Sequence, residues 1–228
     1  MADAEERFLD VVQQVYDNKD TTLHFSYQED FKSIPASIKA LRTTLEVLHV
    51  DNNYSLTSLP PAIGELGRLR WLNASYCRIS SLPQEIGRLS HLERLYLSNN
   101  LLTTVPMELW QLKSLQELRL DNNKLQVLPG GVLFLPHLET VTLENNPLLR
   151  QEEVAGAAPV SLVPPMASVD CSNCCVRLQN YEVFVTFHNL AALRSVPFVH
   201  CVCSEICKKH LELRLAEYDA SHPFTEPQ

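Results

Sequence analysis

The protein is a 228-residue chain with formal net charge −8, 45% hydrophobic residues and seven cysteines. This length holds one elongated domain plus a small module, and the acidic balance argues against nucleic acid or an anionic membrane as the main partner. No segment has the run of about 20 apolar residues that a membrane span needs. Met1 to Asp20 is acidic and lacks the basic start and apolar run of a signal peptide, so an intracellular address is expected, cytoplasmic with the nucleus possible.

In chain order, Ala4 to Tyr16 puts Phe8, Val11, Val12 and Val15 on one face among acids and glutamines. That pattern predicts an amphipathic helix within residues 1–19, capping the open apolar end of the segment that follows. Leu23, Phe25, Gln28, Phe31, Ile34, Pro35, Ile38 and Leu41 then form a degenerate first copy of a recurring phrase. From residue 45 to residue 148 the phrase reads Leu-x-x-Leu-x-Leu-x-x-Asn-x-Leu-x-x-Leu-Pro-x-x-Ile-x-x-Leu, with a spacing that settles on 23 residues. Leu48, Leu72, Leu95, Leu118 and Val141 hold its central position, and Pro60, Pro83, Pro106 and Pro129 open its second half.

A period of this length and composition marks a leucine-rich repeat solenoid, an α/β fold in which each unit buries its apolar face only by stacking on neighbours. The Leu-x-Leu step has the alternation of a short strand, and the later Leu and Ile positions suit a helical or 3-10 convex turn. About six units are expected over residues 20–150, with parallel strands on the concave face. Asn53, Asn100, Asn123 and Asn146 recur at an interior position, where a side-chain amide satisfies the backbone of the turn leaving the strand. Cys77 replaces one rung and is expected to be core rather than reactive, with Gln28 a weaker substitute at the frayed end. The Asn-x-Ser sequons at Asn53 and Asn73 fall on the ladder and the inner strand face, so both are chance matches.

The Leu-Pro-x-x-Ile-Gly-x-Leu form of Leu59 to Leu66 and Leu82 to Leu89 resembles the intracellular leucine-rich repeats of the plant Ras-group proteins and animal signalling scaffolds. That resemblance covers about residues 20 to 150 and implies a horseshoe used for protein contacts, including signal transduction. It is specific for fold and weak for function.

Beyond Asn146 the periodicity stops, and residues 151–168 read as a linker rich in Ala, Val and Pro. Then Cys171-Ser-Asn-Cys174 and Cys203-Ser-Glu-Ile-Cys207 present four thiols in two close pairs, the donor set of a tetrahedral structural zinc ion. Tyr181 to His188 alternates as a strand, Val196 to Val202 returns antiparallel, and Ser204 is placed to start a helix through Leu211, Leu215 and Tyr218. A module over residues 169–218 follows, with residues 219–228 a disordered tail. This arrangement resembles treble-clef and MYM-type zinc knuckles, and the end of certain short vertebrate leucine-rich repeat proteins. Cys175, Cys201, His200 and His210 leave the ligand choice open, and a hairpin of reduced cysteines without metal is the alternative.

No catalytic motif is present: there is no Gly-x-x-x-x-Gly-Lys loop, no Gly-x-Gly-x-x-Gly, no Gly-x-Ser-x-Gly elbow and no His-Glu-x-x-His. Strand geometry instead nominates Val47, His49, Trp71, Asn73, Arg94, Tyr96, Glu117 and Arg119 as a concave partner-binding surface. Trp, Tyr and Arg are the residue types enriched among binding hot spots. The chain therefore reads as a monomeric, non-enzymatic adaptor or scaffold for a protein partner, with structural zinc in its C-terminal module. A ubiquitin-ligase substrate receptor and a regulatory subunit for a phosphatase or small GTPase are the alternatives.

Overall fold

The computed structural model describes residues 3–149, 169–170, 177–178, 182–190, 193–202 and 205–221. The chain divides into two compact units, residues 1–124 with 135–146, and residues 125–134 with 147–228.

The first unit opens with helix α1 (Ala4–Asn18). Asp3 starts it by accepting a hydrogen bond from the Glu6 N–H, and Lys19 ends it in the left-handed conformation. Ala4, Phe8, Val12 and Val15 are buried, while Val11 is half-exposed at the edge of the apolar stripe. Phe8 stacks on Phe31 and meets Phe25 edge-on, so α1 lies over the first repeat and its edge strand.

The repeats form a six-stranded parallel sheet of β1 (Thr22–His24), β2 (Val47–His49), β3 (Trp71–Asn73), β4 (Arg94–Tyr96), β5 (Glu117–Arg119) and, beyond a short β6 (Leu128–Pro129) that belongs elsewhere, β7 (Thr140–Thr142). Strands pair without slippage, so Leu23, Leu48, Leu72, Leu95, Leu118 and Val141 form one buried column. Among the described residues the sheet has six strands, one in each copy of the repeat phrase. Each buried leucine adds roughly 2 kcal/mol of burial relative to exposure, but only because an adjacent unit supplies the other wall.

The asparagine ladder behaves as expected. Asn100 Nδ2 donates to the Ala74, Leu97 and Ser98 carbonyls, and its Oδ1 accepts from the Ile79 N–H. Asn123 repeats the pattern, and Asn53 and Asn146 each bridge two carbonyls. The Asn53 sequon is thus completely buried. At the substituted rung the Cys77 thiol reaches only the Val50 and Ser75 carbonyls, and burial pushes its pKa up to about 11. The missing amide acceptor is made up locally: the one-residue insertion around Tyr54 lets the Leu56 N–H bond to the Asn53 carbonyl.

On the opposite side, short 3-10 turns at Ala36–Leu41, Pro61–Glu65, Gln84–Arg88 and Met107–Gln111 stack on one another. Their contact explains the glycine in Leu-Pro-x-x-Ile-Gly-x-Leu. A methyl group at Gly87 would lie 2.6 Å from the Glu108 carbonyl oxygen, and one at Gly64 would collide with the Glu85 carbonyl.

The second unit takes β6 and the turn Gly130–Phe134 out of the fifth repeat. It joins them to β8 (Val169–Asp170), β9 (Arg177–Leu178), β10 (Glu182–Leu190), β11 (Leu193–Val202) and helix α2 (Glu205–Ser221). The hairpin β10–β11 is antiparallel as predicted, with Val185 opposite Val199, and β8 pairs with β9. Periodicity places Leu128 and Pro129 as ordinary repeat positions; instead they pair in parallel with Phe198 and Val199 of β11. The buried set includes Val196, Phe198, His188 and His200 from the hairpin and Leu211, Leu215 and Tyr218 from α2. The expected linker, residues 151–168, lies outside the described residues, whereas Asp219 to Ser221, expected to be tail, continue α2.

Candidate partner-binding face

Because β2 to β5 are three-residue strands whose central leucine is buried, the two flanking side chains of each face outward together. The eight nominated residues are those flanking positions: Val47 and His49, Trp71 and Asn73, Arg94 and Tyr96, Glu117 and Arg119. The aromatic rings run continuously across the rungs. His24 stacks on His49 at 4.7 Å between centroids, His49 meets Trp71 edge-on at 4.6 Å, and Trp71 meets Tyr96 at 5.6 Å. Cations lie over this strip, with the Arg94 guanidinium 5.3 Å from the Trp71 ring centre and that of Arg119 4.3 Å from Tyr96.

Glu117 anchors one end. It accepts from the Tyr96 hydroxyl at 2.6 Å and from Arg119 Nε at 2.7 Å. Burial works to raise its pKa, but these donors outweigh it and hold the carboxyl below its ordinary value. Tyr96 is shifted up by burial and by its bond to Glu117, so both groups keep their charge states at neutral pH. At the other end, burial and the neighbouring His24 push the His49 pKa down against the opposing pull of Asp51. Asn73 contacts the His49 ring at 3.4 Å, accounting for the half-buried amide of the second sequon. The Trp71 indole N–H is buried without a hydrogen-bond partner. That arrangement costs about 1–3 kcal/mol and is held in place by the rings and guanidinium around it.

Beside the aromatic strip runs a polar column that strand reasoning identifies only in part. Asp121 accepts from the Ser98 and Thr142 hydroxyls at 2.6 and 2.7 Å and from Asn122 at 2.9 Å. Asp51 accepts from Ser26 at 2.9 Å and from Asn52 at 2.6 Å. Strip and column enclose an open groove of about 420 Å³ whose lining includes Asp51, Tyr76, Tyr96, Ser98, Arg119 and Asp121. Tyr76 was not a candidate, yet it carries a positive φ of 57° where the equivalent Asn52, Asn99, Asn122 and Asn145 have φ of 55° to 57°. A bulky side chain rarely adopts that conformation, so an exposed tyrosine there is a strained surface feature. The sequence signal was available: tyrosine replaces asparagine one residue before the ladder position.

Of the metal candidates, Cys171, Cys174 and Cys203 lie outside the described residues, and Cys207 sits half-exposed in the first turn of α2. Among the described residues no cluster of three or more His, Cys, Asp or Glu side chains is placed to hold an ion. No helix among them is long and apolar enough to cross a membrane.

The leucine-rich repeat family profile matches residues 43–102 and, overlapping it, residues 67–125. No curated protein matches the chain. Among solved structures, a leucine-rich repeat protein of Leptospira interrogans is 32% identical over 59% of this chain, with a TM-score of 0.50. The ectodomain of the plant membrane receptor kinase GASSHO1/SCHENGEN3 from Arabidopsis thaliana, in complex with CASPARIAN STRIP INTEGRITY FACTOR 2, is 37% identical over 55% of it, at 0.51. The repeat domain of the type III effector XopL is 23% identical over 64% of it, at 0.58, a likeness of fold. The chain spans 40%, 15% and 51% of those structures, respectively. A matched profile, an in-register parallel sheet and an asparagine ladder broken at Cys77 together show that residues 43–125 are leucine-rich repeats.

Proposed function

We propose that the protein is a non-enzymatic adaptor that holds a protein partner on the concave face of its repeats. Leucine-rich repeat domains are generally protein-interaction surfaces, and the observation carrying the reading here is the unbroken strip His49, Trp71, Tyr96 with Arg94 and Arg119 laid over it. These rings are held by ring and ion-pair contacts before any partner arrives, so little side-chain entropy remains to be lost on binding. The plant receptor ectodomain that is similar over 55% of this chain is itself seen in complex with CASPARIAN STRIP INTEGRITY FACTOR 2. Helix α1, covering the edge strand β1, acts as the solenoid's N-terminal cap.

In the second unit the reading places a structural zinc ion on Cys171, Cys174, Cys203 and Cys207. Support comes from the ends of the described strands: β8 stops at Asp170, directly before Cys171, β11 stops at Val202, directly before Cys203, and β8 packs beside β11. Thiolates at those positions would supply folding free energy to a small unit through the metal. The proposed setting is intracellular, where such thiols stay reduced.

The test is affinity purification from cells with the intact chain, Trp71→Ala/Arg119→Glu, and a chain cut after residue 165. Selective loss of a defined protein set in the double variant, at unchanged thermal stability, supports the concave-face reading. Retention of that set by the variant and its loss on truncation would transfer the function to the second unit.

A further inference from the structure

The charges on the concave strands are unequally committed. Glu117 is consumed by Tyr96 and Arg119, and Asp121 and Asp51 already accept from hydroxyl and amide donors on neighbouring rungs. Elsewhere on the repeats Arg70 is bound to Glu93 at 2.5 Å, and Arg7 of α1 to Asp30 at 2.8 Å. Arg94 differs. It is exposed at the first position of β4, in the middle of the sheet, with its guanidinium over the Trp71 ring, and among the described residues it has no carboxylate within ion-pair distance. The face therefore offers an incoming segment a cation that lies over an aromatic ring with no ion-pair partner among the described residues, beside acids that already hold hydroxyl, amide or guanidinium donors.

We infer that the segment received by this face is an extended peptide carrying an aspartate or glutamate next to an apolar residue. The carboxylate pairs with the Arg94 guanidinium, and the apolar side chain packs against the Trp71–Tyr96 edge. Charge complementarity selects the acid. A guanidinium over an indole face can still present N–H groups for two parallel hydrogen bonds to a carboxylate. A basic segment would meet Arg94 unshielded and would have to share Glu117, Asp51 or Asp121 with donors already bound there. The inference rests on the concave-face reading and adds the chemistry of the occupant.

The experiment is selection of a randomised twelve-residue peptide library against the immobilised full chain, repeated with Arg94→Gln, Arg94→Lys and Arg94→Glu. The expected result is enrichment of Asp or Glu beside an apolar residue by the unaltered chain. Binding of the selected peptides should weaken about tenfold in Arg94→Gln, be largely kept by Arg94→Lys and be lost in Arg94→Glu, with thermal midpoints of the Gln and Lys variants unchanged. Enrichment of neutral or basic peptides, enrichment indifferent to Arg94, or no enrichment at all would overturn it. If cellular partners are lost with Trp71→Ala while the selected peptides lack acids, the concave-face reading stands and this inference alone fails.

Discussion

The two units store their stability in different places, and that difference decides how each responds to change. In the repeat unit the asparagine rungs repeat one set of bonds to the rung before, broken only at Cys77, so a defect at one asparagine is felt by its neighbours in the stack. In the second unit the buried set comes from segments far apart in the chain: β6 from the fifth repeat, the hairpin, and α2, with Phe134 edge-on to Tyr218 and under the Arg214 guanidinium. Repetition spreads a fault along one dimension; assembly from distant segments concentrates it at a few contacts.

The largest expected effect is in acid. The fully buried His200 has its pKa lowered to about 3 by burial and by His188, while in the unfolded chain it titrates near the ordinary histidine value of 6.5. The unfolded state therefore takes up a proton first as pH falls below 6.5, and the second unit loses stability continuously down to about pH 3, by on the order of 4 kcal/mol. Amide hydrogen exchange at pH 7 and pH 4 should show the β10–β11 hairpin opening in acid well before the Leu48 to Leu118 column. His200→Leu should flatten that dependence; equal acid sensitivity of both units would break the comparison.

Next in size is Asn100→Ala. It strips three carbonyls of their donor and leaves the Ile79 N–H without an acceptor, and should cost about 3 kcal/mol in denaturant unfolding of the repeats. Because Cys77 already functions with two sulfur contacts and a local substitute bond, Cys77→Ala should cost much less, about 1 kcal/mol. Comparable losses at the two rungs would contradict the role given to the insertion around Tyr54.

Gly87→Ala against Gly67→Ala isolates the convex stacking. The first adds a methyl 2.6 Å from the Glu108 carbonyl, whereas the second meets nothing within 4 Å. The expected loss is about 1–3 kcal/mol for Gly87→Ala and near zero for Gly67→Ala, read as thermal midpoints. The smallest effect is a gain: Tyr76→Asn should stabilise the repeats by about 1 kcal/mol by relieving the positive φ while weakening partner binding, since Tyr76 lines the groove.

The repeat unit was legible because each of its rules is local and stated several times. Leu48, Leu72, Leu95 and Leu118 establish the strand, Asn53, Asn100 and Asn123 establish the turn, and the flanking concave positions follow from alternation alone. What the sequence left unread depends on a third dimension. Nothing in Leu128-Pro129 distinguishes it from Leu82-Pro83, yet the first pairs with β11. The glycine of the repeat phrase was visible but its cause, the next repeat's carbonyl, was not. In the binding face, residue types and positions could be read, but that Arg94 has no ion-pair partner among the described residues while Arg119 is bound to Glu117 required side-chain geometry. The four proposed zinc ligands remain a pattern of spacing, with Cys207 the one member among the described residues.

The two tryptophans provide the most direct measurement, since Trp71 lies on the concave strip and Trp110 in a 3-10 turn on the opposite side of the repeats. Covalent footprinting of both residues, with and without a partner recovered by affinity purification, separates the faces within one experiment. The account predicts that the partner lowers modification of Trp71 and Tyr96 and leaves Trp110 unchanged; protection of Trp110 with Trp71 unaffected would contradict it.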